Sequence, residues 1–404
     1  MECILALQKA EKTDRHLDID LHTRGNDLKG FLPAKPPLKE YSISSSPSLS
    51  RLQEIASNLP KLLLTSRVQL TVESLKKDDL SIHELLESKS ERELRLAMVH
   101  LSFLAHAYVL GGTKPNSKLP EVVAAPWVQV SEFLGRPPVL SYASYCLNNW
   151  FLLEDEPLSL ENVALINNFL GGVDEDWFVT IHVCIENAAS GAIEAADKLS
   201  ECNEATNEKD LHNLLSKIQL SLKEVNKIFL RMTERCDPYV YYHRVRPFIF
   251  GSKDNPDLKN GLIYESQFAN KAQFFRGETG AQSSIVPSLD GVLGIKHSKD
   301  ALRHYLNEMR EYMPPEHRNF IEKLERSSVV KDLVSDSSNL KQIYNQCLNE
   351  LADFRSLHLK YAGMYIHKQS EQKNPFGTGG STIKGTGGTP FMTYLKKHLE
   401  ETKK

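Results

Sequence analysis

Apolar residues recur at intervals of three and four along most of the chain, which is the spacing of one face of an α-helix. Two such faces are formed by Leu94, Met98, Leu101, Phe103 and Leu104, and by Leu211, Leu214, Leu215, Ile218, Leu222, Val225 and Phe229. Runs of alternating β-branched residues, which would predict strands, are rare and short. The sequence therefore predicts an all-α protein whose helices bury these faces against one another in a bundle.

The length of the chain predicts two domains, because 404 residues exceed the size at which one hydrophobic core usually keeps growing. A turn-rich stretch over residues 154–176, with the consecutive glycines Gly171 and Gly172, separates a first helical block from a second. We therefore expect a smaller N-terminal helical domain over residues 1–160 and a larger C-terminal helical domain over residues 161–404.

The charges are nearly balanced, with 49 lysines and arginines against 52 aspartates and glutamates. This balance gives no basic surface of the kind that binds nucleic acid or an anionic membrane, so a small molecule or another protein is the expected partner. No apolar run reaches the roughly eighteen residues of a membrane span, and the N-terminus is too charged for a secretory signal. We expect a cytoplasmic protein without a membrane segment.

The six cysteines are widely separated and form no C-x-x-C pair, unlike those of zinc sites or dense disulfide frameworks. Free thiols favour a reducing compartment, in agreement with the cytoplasm. The absence of C-x-x-C-H means that any haem is held without thioether links. Signatures such as H-E-x-x-H and G-x-S-x-G are also missing, so polar residues on apolar helix faces become the candidates for chemistry.

His358 is the first of these candidates. Leu351, Phe354, Tyr361 and Tyr365 recur around it at helical spacing, so its imidazole is expected on the buried face of a long C-terminal helix. A buried imidazole needs partners for its ring nitrogens. It is either a core histidine bonded to a backbone carbonyl or an axial ligand to haem iron, and this residue by itself leaves both open.

His182 and Arg246 pose similar alternatives. Phe178 and His182 lie four residues apart on one apolar helix face, where a histidine is either a satisfied core residue or part of a site. Arg246 follows the aromatic residues Tyr241 and Tyr242. A guanidinium beside an aromatic pocket suits an aromatic ligand with a carboxylate, because it donates to both oxygens at once. Alternatively, Arg246 forms an ion pair with an acidic side chain at the surface.

A glycine- and threonine-rich segment over residues 370–389 contains two near-copies, GTGGST at residues 377–382 and GTGGT at residues 385–389. Neither matches G-x-x-x-x-G-K-[ST], nor G-x-G-x-x-G after a strand, so nucleotide binding is weakly supported. The composition predicts a mobile segment, which is either a lid over a pocket or a plain linker.

Taken together, these segments resemble the indoleamine 2,3-dioxygenase family, haem enzymes that oxidise tryptophan. The matching stretches run in the family's order and include RPPVLSYA at residues 136–143, residues 178–193, residues 241–246, GETGAQSS at residues 277–284, residues 290–294, MPPEHRNF at residues 313–320, RSLH at residues 355–358 and residues 384–389. They cover most of the chain beyond about residue 90. The resemblance implies that the larger helical bundle holds one non-covalent haem b per chain.

The resemblance also implies roles for individual residues. His358 falls at the position of the proximal ligand of the haem iron. Arg355 and Asp290 match the residues that hold a haem propionate. Arg246 matches the arginine that binds the substrate carboxylate, and Thr386 matches the threonine of a lid that closes over the bound amino acid. The walls around the indole and the distal haem face are matched by Tyr142, Phe178, Tyr241, Tyr242, Thr279, Gly280 and Ala281.

The chain departs from the family's pattern in its distal pocket. Where mammalian members carry a serine it has His182, and where they carry two phenylalanines it has Tyr241 and Tyr242. A distal histidine is what the related tryptophan 2,3-dioxygenases use. We hypothesise that His182 is a catalytic side chain that accepts a hydrogen bond from the indole N–H. The two tyrosines alter the space available to bulkier indoles.

The function that the resemblance implies is insertion of O₂ across the indole C2–C3 bond of L-tryptophan to give N-formylkynurenine, the first step of the kynurenine pathway. The expected partners are L-tryptophan, O₂ and an electron donor that keeps the iron ferrous, and the chain is expected to be a monomer. Gastropod myoglobins resemble the same family, so oxygen storage is the alternative, although it has no use for Arg246 or for a lid with Thr386. A haem-free helical interaction protein is disfavoured by His358 and His182 on buried faces.

Overall fold

A computed structural model describes residues 30–42, 46–327, 329–370 and 391–402 of the chain. This part consists of α-helices, short π-helical and 3₁₀ turns and two pairs of very short strands, so the prediction of an all-α protein is confirmed. Among the described residues, no helix is both long enough and apolar enough to cross a membrane.

The helices fall into a first group before the strand pair at residues 150–165 and a second group after it. The first group is α1 (Pro47–Ser57), α2 (Leu59–Leu64), α3 (Val68–Glu73), α4 (His83–Ser88), α5 (Glu91–Leu110) and α6 (Glu121–Leu134). The second group is α7 (Val173–Leu199), α8 (Glu208–Leu230), α9 (Pro238–Val240), α10 (Ile285–Val292), α11 (Ala301–Arg310), α12 (Pro315–Ser327), α13 (Val330–Leu333), α14 (Ser338–Ala362), α15 (Lys368–Ser370) and α16 (Phe391–Thr402).

Irregular turns and strands connect these helices. The π-helical turns are Ala143–Leu147, Tyr241–Val245 and Gly363–His367, and the 3₁₀ turns are Arg231–Glu234, Arg246–Ile249, Phe268–Asn270 and Gly280–Gln282. Strand β2 (Trp150–Leu152) pairs antiparallel with β3 (Val163–Leu165), and β1 (Lys118–Leu119) pairs in parallel with β4 (Ile263–Tyr264). Single π-turns often occur at functional sites, and here two of them begin at or directly after tyrosines assigned to the site.

The two apolar faces read from the sequence belong to α5 and α8, and both are buried as predicted. Helix α8 is amphipathic: only Leu214 of its predicted set is partly exposed. Asn207 caps its first turn, because the Asn207 side chain accepts a hydrogen bond from the amide of Asp210. Helix α8 packs between α7 and α14, so the three longest helices of the second group form one bundle.

A turn with two glycines fixes where α7 begins. Gly171 and Gly172 have φ angles of 67° and 112°, which side chains other than glycine adopt only with strain. The buried carboxylate of Glu175 closes the turn by accepting a hydrogen bond of 2.7 Å from the amide of Phe169. The turn therefore positions the helix that carries His182.

In the described part of the chain, the buried apolar side chains form two clusters, and α7 contributes to both. Val179 and Val183 belong to the first cluster, whereas Ile181 and Ile185 belong to the second. The first cluster also includes residues far beyond the strand pair, such as Phe248. The two clusters therefore meet along α7, and the domain boundary at residue 160 stays a prediction.

Candidate functional site

A cavity of about 300 Å³ lies where the two apolar clusters meet. Its walls come from α7, α8, α11 and α14 and from the segment over residues 278–287. Most of its lining surface is apolar. The polar lining residues include three histidines, two acids and three arginines, namely His182, His358, His398, Glu278, Asp290, Arg303, Arg310 and Arg355. A largely apolar cavity into which several polar groups converge is typical of a small-molecule or cofactor site.

His358 lies on the wall formed by α14. Burial, with smaller contributions from the nearby His182 and Arg355, lowers the pKa of its imidazole to about 4. The ring is therefore neutral at pH 7. No hydrogen bond to its nitrogens is present among the described residues, and the rings of Phe229 and Phe354 lie 6.2 and 6.4 Å away. A neutral imidazole in an apolar cavity has the properties of a ligand to a metal centre.

Arg355, one helical turn before His358, forms a buried ion pair with Asp290 of α10. Its Nη2 lies 2.8 and 2.6 Å from the two carboxylate oxygens of Asp290. Asp290 also accepts a hydrogen bond of 2.8 Å from Nε2 of His297. Burial raises the pKa of Asp290, but Arg355 and His297 outweigh that effect and hold the pKa below its usual value. Arg355 donates as well to the hydroxyl of Thr402. The predicted propionate-binding pair is thus assembled on one wall.

His182 lies on the wall formed by α7, near His358. Its Nδ1 lies 2.7 Å from the backbone carbonyl oxygen of Phe178. Because a carbonyl oxygen only accepts hydrogen bonds, Nδ1 carries the proton, and because burial lowers the pKa of His182, the ring is neutral. Nε2 is therefore left as an acceptor, as the hypothesis about the indole N–H requires.

Aromatic side chains cover much of the cavity near His182. The ring centroids of Phe178 and Tyr241 lie 4.5 Å apart, and those of Tyr142 and His182 lie 6.1 Å apart. Tyr365 of the last π-turn continues this aromatic wall, with its ring 5.7 Å from that of Tyr241. A planar aromatic molecule bound on this side could make stacked and edge-to-face contacts with these rings.

The turn Thr279-Gly280-Ala281 forms another part of the wall. The hydroxyl of Thr279 accepts a hydrogen bond from the amide of Ala281 and so closes the turn. A methyl group built at Gly280 would meet no atom of the described residues within 4 Å. The glycine therefore widens the cavity, although the described neighbours leave room for a side chain there.

The structure places Arg246 and Tyr242 away from the cavity lining. Arg246 is 1% exposed and begins the 3₁₀ turn Arg246–Ile249. Its guanidinium carbon lies 5.1 Å from the ring centroid of Tyr242 and 4.7 Å from that of Phe250. The cation is thus stacked between aromatic rings. Thr386 and most of the predicted lid lie outside the described residues.

Two buried acids near the cavity were not identified from the sequence. Burial raises the pKa of Glu278, which lines the cavity, to about 8. Burial also raises the pKa of Glu186 to about 7, although Ser283 and Tyr142 donate to its Oε1 at 2.8 and 2.9 Å. Glu278 lies inside the GETGAQSS stretch, where it carried no signal of a separate role.

The sequence model of the indoleamine 2,3-dioxygenase family matches residues 26–404. Indoleamine 2,3-dioxygenase 1 of Rattus norvegicus is 38% identical over 363 residues, which cover 87% of this chain and 88% of the rat protein. The corresponding protein of Mus musculus is 36% identical over 404 residues, covering 97% and 94% of the two chains. Indoleamine 2,3-dioxygenase of Saccharomyces cerevisiae is 31% identical over 418 residues, covering 92% and 90%.

Proposed function

Since the chain belongs to the indoleamine 2,3-dioxygenase family, we propose that it is a haem-dependent oxidoreductase that converts L-tryptophan and O₂ into N-formylkynurenine. The observation that carries this proposal is a pair of neutral imidazoles, His358 and His182, on the walls of one aromatic cavity. One is suited to hold a metal centre and the other to bind the substrate.

The residues around the cavity fit a haem. The apolar lining suits a large planar ring, His358 offers one neutral nitrogen ligand, and Arg355 offers a cation for a propionate on the same wall. Since Asp290 already fixes the guanidinium of Arg355, a propionate would meet a positioned donor. When bound, haem b supplies the activation of O₂ that leads to insertion of both oxygen atoms across the indole C2–C3 bond.

On the other side of the cavity, the protein would orient the indole. Nε2 of His182 would accept the hydrogen bond from the indole N–H, while Phe178 and Tyr241 would contact the ring faces and edges. Since burial raises the pKa of Glu278 to about 8, its carboxyl stays neutral near pH 7 and places no full negative charge in the cavity lining. No strong general base is required in this assignment.

The amino acid end of the substrate is assigned to Arg246 and Thr386. For Arg246 to bind the carboxylate, its guanidinium must reach the cavity from its place between Tyr242 and Phe250. Two parallel hydrogen bonds to a carboxylate would compensate for the loss of this stacking. The assignment of Thr386 rests on the family resemblance.

We propose that the protein lies in the cytoplasm, which is a reducing compartment. We also propose that it is a monomer and that an external electron donor keeps its iron ferrous. Five cysteines in the described part of the chain, Cys146, Cys184, Cys202, Cys236 and Cys347, are free thiols, which supports a reducing compartment. Gel filtration at several protein concentrations tests the oligomeric state, and a monomer should elute at the same volume at each concentration.

The proposed function is tested by a visible spectrum of the purified ferrous protein with O₂, with and without L-tryptophan, while N-formylkynurenine is followed by its absorbance. A Soret band and product that depends on tryptophan are expected. A stable oxygenated spectrum without product would instead identify an oxygen-binding relative. A colourless protein that does not take up added haem would contradict the role of His358.

A further inference from the structure

A cluster of metal-ligand side chains lies at the edge of the cavity, outside the roles assigned above. It consists of His297, His398 and Glu401, and one possible ligand atom from each lies within 4.8 Å of the others. His297 lies in the loop between α10 and α11, while His398 and Glu401 lie three residues apart on α16. Residues at this spacing share one face of a helix, so α16 presents two ligands towards the loop.

His297 is held in the orientation that metal-binding histidines usually have. Its Nε2 lies 2.8 Å from Oδ2 of Asp290, and its Nδ1 lies 2.6 Å from Oε2 of Glu401. Because a carboxylate only accepts hydrogen bonds, both ring nitrogens of His297 carry a proton when no ion is bound. A bound ion would replace the proton on Nδ1, while Nε2 would keep donating to Asp290. A carboxylate that fixes the far nitrogen of a ligating histidine is a common feature of zinc sites.

His398 has a buried ring nitrogen that lacks a hydrogen-bond partner in the part of the chain that the structure describes. This atom, Nε2, is a possible metal ligand, and no donor or acceptor among the described residues binds it. Its ring centroid lies 4.6 Å from that of His297. Buried polar atoms in native proteins nearly always have a partner, so a nitrogen of this kind beside two other ligand groups points to a bound ion.

We propose that His297, His398 and Glu401 bind a divalent ion of the zinc class, with water as the fourth ligand. Two imidazoles and one carboxylate favour zinc over magnesium or calcium, which prefer sites made only of oxygen atoms. Zinc bonds of about 2.0–2.1 Å in a tetrahedron place ligand atoms roughly 3.3 Å apart. Nδ1 of His297 and Oε2 of Glu401 would therefore need to separate by less than about 1 Å.

The ion would connect three parts of the fold. It would join α16 to the loop before α11 and, through Asp290, to Arg355 on α14. Bound zinc would thus stabilise the wall that carries His358, without contacting His358 itself. None of the three ligands is assigned to the haem iron or to tryptophan, although His398 lines the cavity and His297 donates to Asp290 of the proposed propionate-binding pair.

The test is zinc binding to the full chain loaded with haem, so that any histidine used by the haem is already occupied. Equilibrium dialysis against Zn²⁺ followed by elemental analysis gives the stoichiometry and affinity. His398→Ala and Glu401→Gln each remove one ligand and should weaken binding at this site by at least about 100-fold. Matched controls are His304→Ala and Glu400→Gln, which change exposed residues of the same types.

The wild type and both controls should bind one equivalent of zinc that the two ligand variants lose. Added zinc should also raise the melting temperature of the wild type and controls, but not that of the ligand variants. Zinc bound equally by all five proteins would assign it to thiols or to other histidines and overturn the proposal. A wild type that binds no zinc would also overturn the proposal and leave His297 as a hydrogen-bonded bridge only. That result does not depend on whether the ligand variants fold.

Discussion

Two walls of the cavity differ in the ionisation of their side chains. On the wall that carries His358, Arg355 and Asp290 are charged and joined at 2.6–2.8 Å. The wall that carries His182 is formed by α7 and by the segment over residues 278–287, which α7 binds through Glu186 and Ser283. Burial there lowers the pKa of His182 and raises that of Glu278 to about 8. One wall therefore holds paired charges, whereas the other holds titratable groups in their neutral forms.

The two kinds of wall should respond differently to substitution. A buried ion pair depends on both partners, because removal of one leaves an uncompensated charge in the interior. Neutral hydrogen-bonding groups can be replaced at a smaller cost, because their loss leaves no buried charge. Substitutions on the His358 wall should thus have the larger effects, and those on the His182 wall should mainly change substrate selection and pH dependence.

Replacement of His358 by alanine should have the largest effect. It removes the proposed iron ligand and should lower dioxygenase activity roughly a thousand-fold or more, which equals about 4 kcal/mol. Haem content after gel filtration and the rate of N-formylkynurenine formation measure the loss. His367→Ala changes an exposed histidine nine residues later and is the matched control. Equal haem retention and activity in both variants would remove His358 from the site.

Replacement of Arg355 by methionine should lower the free energy of unfolding by about 3 kcal/mol, because Asp290 stays buried without its main cation. Urea unfolding measures this change. The matched control is Arg303→Met, which breaks a pair with Glu325 whose side chains are 29% and 28% exposed. That loss should be below about 1 kcal/mol. If the two variants lose equal stability, the paired charges do not distinguish the His358 wall.

Replacement of Arg246 by alanine should lower kcat/KM for tryptophan roughly ten- to a hundred-fold, because a charge-assisted contact to the carboxylate is lost. Steady-state kinetics with L-tryptophan and with tryptamine, which lacks the carboxylate, separate this contact from a change in folding. The exposed Arg244 provides the control Arg244→Ala. An unchanged KM for tryptophan in Arg246→Ala would count against the carboxylate assignment and keep Arg246 as a stacked core residue.

Replacement of His182 by serine tests the wall with neutral groups. Loss of one hydrogen bond should reduce the preference for tryptophan over 1-methyltryptophan about five- to ten-fold, since only the former has an indole N–H to donate. The measurement is the ratio of turnover of the two substrates by wild type and variant. An unchanged ratio would show that Nε2 of His182 does not accept from the indole.

The sequence predicts the helices and the positions of both histidines because the helical period determines which side chains share a buried face. It did not predict that Arg246 would lie stacked between Tyr242 and Phe250, since that depends on a 3₁₀ turn without a strong sequence signal. The sequence also does not predict that the carboxyl of Glu278 is neutral. Its neutral state follows from burial by segments that are distant in sequence, and a single acidic residue in a loop carries no information about that burial.

Replacement of Glu278 by glutamine should have the smallest effect, and it tests whether the His182 wall is kept neutral by burial. Because the pKa of Glu278 is raised to about 8, its carboxyl stays protonated in the native protein at pH 6–7, whereas an unfolded chain releases that proton. Its contribution to stability is present in full below about pH 4.5 and declines as the pH rises towards 8. The stability of Glu278→Gln relative to wild type should therefore increase by about 1 kcal/mol between pH 6 and pH 7. Urea unfolding at the two pH values measures this, with Glu204→Gln at an exposed position as the control. A pH-independent difference would mean that Glu278 is ionised in the native protein, and the contrast between the two walls would then be lost.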